Sequence, residues 1–363
     1  MSVSPVPPGS DEREARLFAI RREAEATGQV TGLGVRPPGA PFPMASPATG
    51  YYGIPLLKQP QWTWQIPLYF FVGGAAGSLG VIGSLADWVG DDYKLARKAR
   101  LLAVGGAALS GGLLTWDLGR PARFLNMLRV FKPHSAMSVG AWILAGFSSA
   151  ASASLFADIL RDRLGNSIPV KLISGLGRLG SIALGGPFHN YTGVLIGATV
   201  IPTWNENVES LPVHFGMSGL QAAVSLLELM GHSRSRALNA LGLISATAET
   251  LEGFKLESTH KRTLRPLKRG ASGWITRAGG ILSGPFALSV RALAAVTGET
   301  RSPRLRRIAA VAGITGSLLT RIGWIQAGHA SAQDWRVPMQ IPEYTAMPLP
   351  AAAAAEESME ALG

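Results

Sequence analysis

Between Gln65 and Ala327 the chain alternates long apolar runs with short polar ones. Eight runs can be read, at about 65–88, 99–118, 137–160, 178–202, 210–231, 236–256, 272–297 and 305–327. Each holds roughly 20–26 residues, enough for a helix to cross about 30 Å of hydrocarbon. The pattern predicts an all-α polytopic membrane protein with about eight transmembrane helices, arranged as two four-helix bundles. The fourth and seventh runs are the weakest. Gly185-Gly186-Pro187 is expected to break the fourth and Gly284-Pro285 the seventh, which is tolerated where neighbouring helices or a cavity satisfy the freed backbone groups. Small residues recur at helix-packing spacing in Gly73/Gly77 and Gly193/Gly197, where they let backbones approach in lipid. With eight crossings both ends of the chain share one face, together with the loops 119–136, 203–209 and 257–271.

The ends follow another pattern. Residues 1–50 carry Pro5, Pro7, Pro8, Pro37, Pro38, Pro41, Pro43 and Pro47 around one charged stretch, Asp11–Thr27. Ser10 can cap a short helix there, which is read either as a solvated helix on a tail or as a docking arm. No apolar stretch of the signal-peptide kind lies within the first 40 residues. Residues 51–330 form the membrane domain, and 331–363 are a Pro- and Ala-rich extension.

Composition sharpens this picture. Hydrophobic residues make up 47% and charged residues only 16%, against roughly 25% charged in soluble chains. The deficit belongs to the apolar runs. The net charge of +11 suits loops facing anionic lipid headgroups. Without an RNP, zinc-finger or helix-turn-helix signature it does not indicate nucleic acid. Basic residues near the loops number eleven on the face of the termini and fourteen on the other, so they give no orientation. With no cysteine, no iron–sulfur cluster or thiolate metal site is expected in this chain. No haem is expected either, because His189 and His214, the histidines inside spans, fall at different depths.

Polar residues gather toward the face of the termini. Trp64 and Tyr69 enter the first span there, and Asp117, Arg120 and Arg123 leave the second, in TWDLGRPARFLNMLRVFKPHS. His134 precedes the third span, Tyr191 lies in the fourth and His214 opens the fifth. Glu249, Glu252 and Arg321 sit in the matching halves of the sixth and eighth. An ionisable group inside a span is costly and usually faces a pocket or path. A quinone pocket needs hydrogen-bond donors, an apolar slot and access from lipid. Tyr191, Trp64, Tyr69, Asp117, Arg120, Arg123, His134 and His214 are the binding candidates. Asp117, Glu249, Glu252 and Arg321 are candidates for a proton path. The competing readings are belt anchors for the aromatics, and headgroup contacts or an Asp117 ion pair for Arg120 and Arg123. Arg321 is expected to have an acidic partner, either Glu249 or Glu252.

These segments resemble the membrane subunits of polysulfide reductase and formate-dependent nitrite reductase complexes, the NrfD type. The likeness rests on YYGIPLLKQPQWTWQIPLYFFVGGAAG (Tyr51–Gly77), DLGRPARFLNMLRVFKP (Asp117–Pro133), MSVGAW (Met137–Trp142), YTGVLIGATVIPTWNE (Tyr191–Glu206) and RIGWIQAG (Arg321–Gly328). The resemblance implies a multi-pass protein of the bacterial cytoplasmic (inner) membrane, not catalytic alone. Such a subunit binds a quinone, menaquinone or ubiquinone, without haem or iron–sulfur cluster of its own. It exchanges electrons with a ferredoxin-like iron–sulfur partner that serves a molybdopterin-type catalytic subunit. By resemblance Tyr191 is the headgroup ligand, together with residues opening the first span, where this chain has Trp64 and Gln65. A secondary transporter, with broken spans around a midplane site, and a purely structural membrane anchor are the alternative functions.

Overall fold

A computed structural model describes residues 57–90, 92–297, 302–334 and 337. The expectations for residues 1–50, and almost all of those for the C-terminal extension, lie outside the described residues. Nearly everything described belongs to one compact unit, residues 59–332. It is helical, with no strand among the described residues.

Eight long helices follow one another: α1 (Gln65–Trp88), α2 (Tyr93–Asp117), α3 (Ala136–Leu164), α4 (Ile168–Gly197), α5 (Leu211–Leu227), α6 (Arg236–Ser258), α7 (Gly270–Val296) and α8 (Ser302–Gln333). Five of them, α1, α2, α3, α7 and α8, are long and apolar enough to cross a membrane by length and composition. Of the remaining three, α4 and α6 carry more polar and small residues along their length, and α5 is short, with 17 residues. The result is the expected all-α membrane architecture.

Local chemistry sets the boundaries. Asp92 caps α2, its carboxylate accepting from the Leu95 N–H at 3.0 Å. Ser135 and Ser235 cap α3 and α6 in the same way. Gly165, at φ 66°, closes α3 in a conformation that other residues rarely adopt. α2 starts six residues and α4 ten residues before the apolar runs do, and the arginines at the heads of those runs find acidic partners. Arg100 of α2 bonds Asp158 of α3 at 2.6 and 2.8 Å and Asp87 of α1 at 2.6 Å. Arg178 of α4 reaches the same Asp87 at 3.1 Å. Four helices are thus clamped at one end by two arginines and two aspartates.

The expected break in the fourth run does not occur. α4 continues through Pro187 as one helix, with Gly185 and Gly186 giving the backbone room to absorb the missing N–H. The seventh run breaks as expected. α7 loosens to a wider turn at Leu282–Phe286, where Gly284 has φ −93° and ψ −106°. A similar turn, Glu228–His232, ends α5 on Gly231 at φ 106°.

Small residues bring the helices together. A Cβ on Gly77 would stand 2.7 Å from the Gly185 carbonyl, and one on Gly219 2.8 Å from the Gly74 backbone. α1 therefore touches α4 and α5 almost backbone to backbone. Phe147 and Phe188 stack at 5.0 Å between α3 and α4. Phe70, Phe215, Trp204 and Trp324 lie in a second core that links α1, α5 and α8.

Candidate functional site

The main cavity opens among α5, α6, α7 and α8 and measures about 580 Å³. Its walls are mostly apolar. Phe254, Ile281 and Pro285 stand at one side and are exposed on the outer surface of α6 and α7, so in a membrane this side meets lipid. Glu206, Glu209 and Lys261 rim another side.

His214, Glu249 and Trp324 form the buried end. The Trp324 N–H donates to His214 Nε2 at 3.2 Å. That bond makes Nε2 the acceptor and puts the proton of a neutral imidazole on Nδ1. Nδ1 faces Glu249 Oε1 at 3.4 Å, which is too long for a good hydrogen bond. Both atoms are buried and have no closer partner among the described residues. The other carboxylate oxygen, Oε2, lies 2.9 Å from the Ser283 hydroxyl, which also stands 3.0 Å from the Gly279 carbonyl. Glu252 also lines the cavity, one turn on, within 3.8 Å of Lys255.

A relay of tryptophans fixes this end. Trp204 is fully buried and donates its N–H to the Trp324 carbonyl at 2.8 Å. Trp62 stacks on Trp204 at 5.1 Å. Gly328 leaves the space, since a Cβ there would fall 2.0 Å from the Trp204 ring. Arg321 lies behind the cavity. Its guanidinium covers the Phe215 ring at 4.6 Å and donates to the Phe215 carbonyl at 2.6 Å. The expected carboxylate contact is replaced by this carbonyl, because the arginine is turned toward α5. Glu249 acts on it through space, and its Nε and Nη1 have no partner among the described residues.

The other predicted residues stand apart from the cavity. Tyr191 is buried in α4, its ring packed against Gly140 and its hydroxyl donating to the Ala136 carbonyl at the start of α3. Tyr69 is buried beside Phe70. Asp117 ends α2 half-buried, next to a shallow surface depression at Thr115, Trp116 and Pro121. Arg120, Arg123 and His134 are exposed, and among the described residues neither arginine is bonded to Asp117. Trp64 is exposed and meets Trp116 edge to face at 6.1 Å, as a belt anchor does. Sequence reading missed Ser283, whose only signal is its place before the Gly284-Pro285 break. It also missed the tie from Trp204 to Trp324.

The sequence profile of the family described as "Polysulphide reductase, NrfD" matches residues 56–245, more than half of the chain. The chain belongs to this family. No curated protein matches it. NrfD membership implies a multi-pass membrane subunit of quinone-interacting oxidoreductase complexes. The matched NrfD stretch runs from α1 to the middle of α6. It contains Asp117, Tyr191, Trp204 and His214, and it stops before Glu249, Ser283, Arg321 and Trp324.

Proposed function

We propose that this NrfD protein is the quinone-binding membrane subunit of an oxidoreductase complex and that the headgroup occupies the α5–α8 cavity. One observation carries this reading. Buried at the closed end of a largely apolar cavity, His214 Nδ1 and Glu249 Oε1 each lack a good partner. Burying such groups unpaired is costly, and a ligand oxygen between them relieves both. The apolar walls suit a ring, and the exposed Phe254, Ile281 and Pro285 give a tail a way out to lipid.

When bound, a quinone supplies the two-electron chemistry, taking up two electrons and two protons to become a quinol. His214 Nδ1–H donates to one oxygen and orients it. Glu249, protonated, is the group that gives a proton and recovers one afterwards. Ser283 holds its far oxygen, and Trp324 holds the imidazole tautomer. The chain has no cysteine, so the electrons come from an iron–sulfur partner that serves a molybdopterin-type catalytic subunit. The complex lies in the bacterial cytoplasmic membrane.

A second reading puts the headgroup at Tyr191 and Asp117, with Trp64, Tyr69, Arg120, Arg123 and His134 around it. Its support is that all of these lie inside the matched stretch. The complex is purified with its partners, and bound quinone and quinone-linked turnover are measured. With the headgroup in the cavity, Glu249→Gln and His214→Ala lower turnover by at least tenfold, while Tyr191→Phe and Asp117→Asn change it less than threefold. The reverse pattern moves the headgroup to Tyr191. A complex that assembles without quinone leaves a structural anchor.

A further inference from the structure

Along its first half α7 touches α8 almost backbone to backbone. A Cβ on Gly323 would stand 3.0 Å from the Thr276 nitrogen, and one on Gly316 2.7 Å from the Gly279 carbonyl. At the wide turn Leu282–Phe286 this contact ends. Gly284 lies there against Thr250 of α6. The second half of α7 is tied to α5, where Arg291 grips Glu228 through two bonds of 2.8 Å. Gly313, next along that face of α8, meets Gln221 and Ser225 of α5 instead of α7. Beyond the turn a groove of about 500 Å³ lies between α7 and α8. Leu282 and Phe286 line one wall, Ile308, Val311 and Thr315 the other, and the buried Ala312 forms the floor.

The groove faces outward. Phe286, Ile308, Val311 and Thr315 are exposed. Both α7 and α8 are long and apolar enough to cross a membrane, so hydrocarbon surrounds them. Arg307 and Thr315 are eight residues apart on α8, about 12 Å by helical rise. That is close to one leaflet's share of about 30 Å of hydrocarbon.

One end of the groove is basic. Arg307 lines it, and Arg304 stands one turn earlier on the same helix face. Both are exposed, and neither has a hydrogen bond or ion pair among the described residues. Arg306 beside them turns inward and donates to the Ser233 and Ser235 carbonyls at 3.0 and 3.1 Å. It thereby draws the α5–α6 turn, with its exposed Arg234 and Arg236, to the same end. Glu228, the carboxylate described at this end of α5–α8, is already held by Arg291. Basic side chains at helix ends commonly reach up to the membrane surface. Here an apolar groove of one leaflet's depth leads away from them.

We infer that this groove binds an anionic phospholipid of the surrounding bilayer. One acyl chain lies along Ile308, Val311 and Thr315, against Leu282 and Phe286. The phosphate sits at Arg304 and Arg307. Charge complementarity selects the occupant. A neutral lipid or an apolar helix of another subunit also fills the groove, but it leaves two guanidiniums without an anion. A phosphate accepts from both, and its oxygens match the planar guanidinium fork. The site is separate from the cavity, which takes Ile281 and Pro285 from the same stretch of α7.

The test exchanges the purified complex into detergent micelles holding equal amounts of phosphatidylglycerol and phosphatidylcholine. Retained lipid is counted by native mass spectrometry for wild type, the double variant Arg304→Gln/Arg307→Gln, and Val311→Trp. The glutamines remove the charge, and the tryptophan fills the groove from its exposed side. Wild type should retain phosphatidylglycerol over phosphatidylcholine at least fivefold. Each variant should lower retained phosphatidylglycerol at least threefold, with assembly unchanged. Electron cryo-microscopy of the wild-type complex should reveal a chain along α8 from Thr315 to Ile308, with its headgroup at Arg307. Equal retention of the two lipids by wild type, or variants that hold phosphatidylglycerol as wild type does, overturns the inference. So does a helix of a second copy or of a partner subunit seated in the groove. Should a variant fail to assemble, the wild-type density and lipid preference decide alone.

Discussion

At the scale of single residues, the site depends on hydrogen bonds that hold other hydrogen-bonding groups. Trp204 is bonded to neither His214 nor Glu249, yet its N–H on the Trp324 carbonyl holds the α8 backbone from which the Trp324 ring reaches the imidazole. Trp204→Phe keeps an aromatic ring against Trp62 and removes the N–H together with part of the buried indole. The lost hydrogen bond costs about 1 kcal/mol and the cavity left by the smaller ring about 1–3 kcal/mol more, so the thermal unfolding temperature of the purified chain should fall by several degrees. Quinone-linked turnover should fall several-fold, as His214 loses its fixed orientation. A variant with both values at wild-type level removes Trp204 from the relay. Ser283 gives a sharper comparison. Its hydroxyl is bonded to Glu249 at 2.9 Å, and a hydrogen bond to a neutral carboxyl contributes about 1 kcal/mol. Ser283→Ala should lower turnover more than threefold with bound quinone retained, and equal turnover would exclude a role. His214, Glu249, Glu252 and Arg321 were legible in the sequence because a charged or imidazole group in an apolar run is rare enough to stand out. Ser283 was not. Serines are common along these helices and usually bond back to their own backbone, as Ser78 and Ser84 do.

At the scale of the helix, glycine has two opposite meanings that spacing alone does not separate. Gly77 sits on the backbone of α4, whereas Gly105 and Gly111 have nothing near their missing Cβ. Gly77→Ala should destabilise the purified chain by about 1–3 kcal/mol, the cost of forcing close-packed backbones apart. Gly105→Ala should be neutral or stabilising by up to about 1 kcal/mol, the gain in helix propensity. Thermal unfolding of the two variants side by side checks both signs, and equal shifts would refute the contrast. The same limit explains what was read well and badly in the helices. Apolar runs gave the existence and order of all eight, because burial and lipid both demand such runs. They missed the first residues of α2 and α4, 93–98 and 168–177, where Lys94, Arg97, Lys98 and Lys171 look like loop residues in sequence. They also predicted a break at Pro187 that the neighbouring glycines absorb, and the true break at Gly284 was predicted on the same grounds. Proline in a span marks a place where a helix can open, and the packing around it decides whether it does.

At the scale of the whole molecule, the open variable is how many of the eight helices cross the membrane. α1, α2, α3, α7 and α8 are apolar enough to cross by themselves. α4 and α6 bury polar residues against the other helices, so hydropathy understates them. α5 is apolar but short, 17 residues, and its Gln221 and Ser225 are shielded from lipid. Two ties at the helix ends agree with eight crossings. Lys98, near the start of α2, reaches the Met230 carbonyl at the end of α5. Arg277, near the start of α7, pairs with Glu257 at the end of α6. Each tie joins ends that eight alternating crossings bring to the same face. The absence of cysteine makes this directly testable with single introduced cysteines and a membrane-impermeant maleimide. Asn126, Asn166, Arg234 and His260 are exposed in the connections after α2, α3, α5 and α6. Eight crossings put Asn126→Cys and His260→Cys on one face, and Asn166→Cys and Arg234→Cys on the other. Five crossings, with α4, α5 and α6 not spanning, put His260→Cys on the face of Asn166→Cys. Labelling from each side of sealed vesicles distinguishes the two through His260 alone. Reaction of His260→Cys together with Asn126→Cys excludes five crossings. It also puts the charged rim of the cavity at one membrane surface and the Arg306 end of α8 at the other.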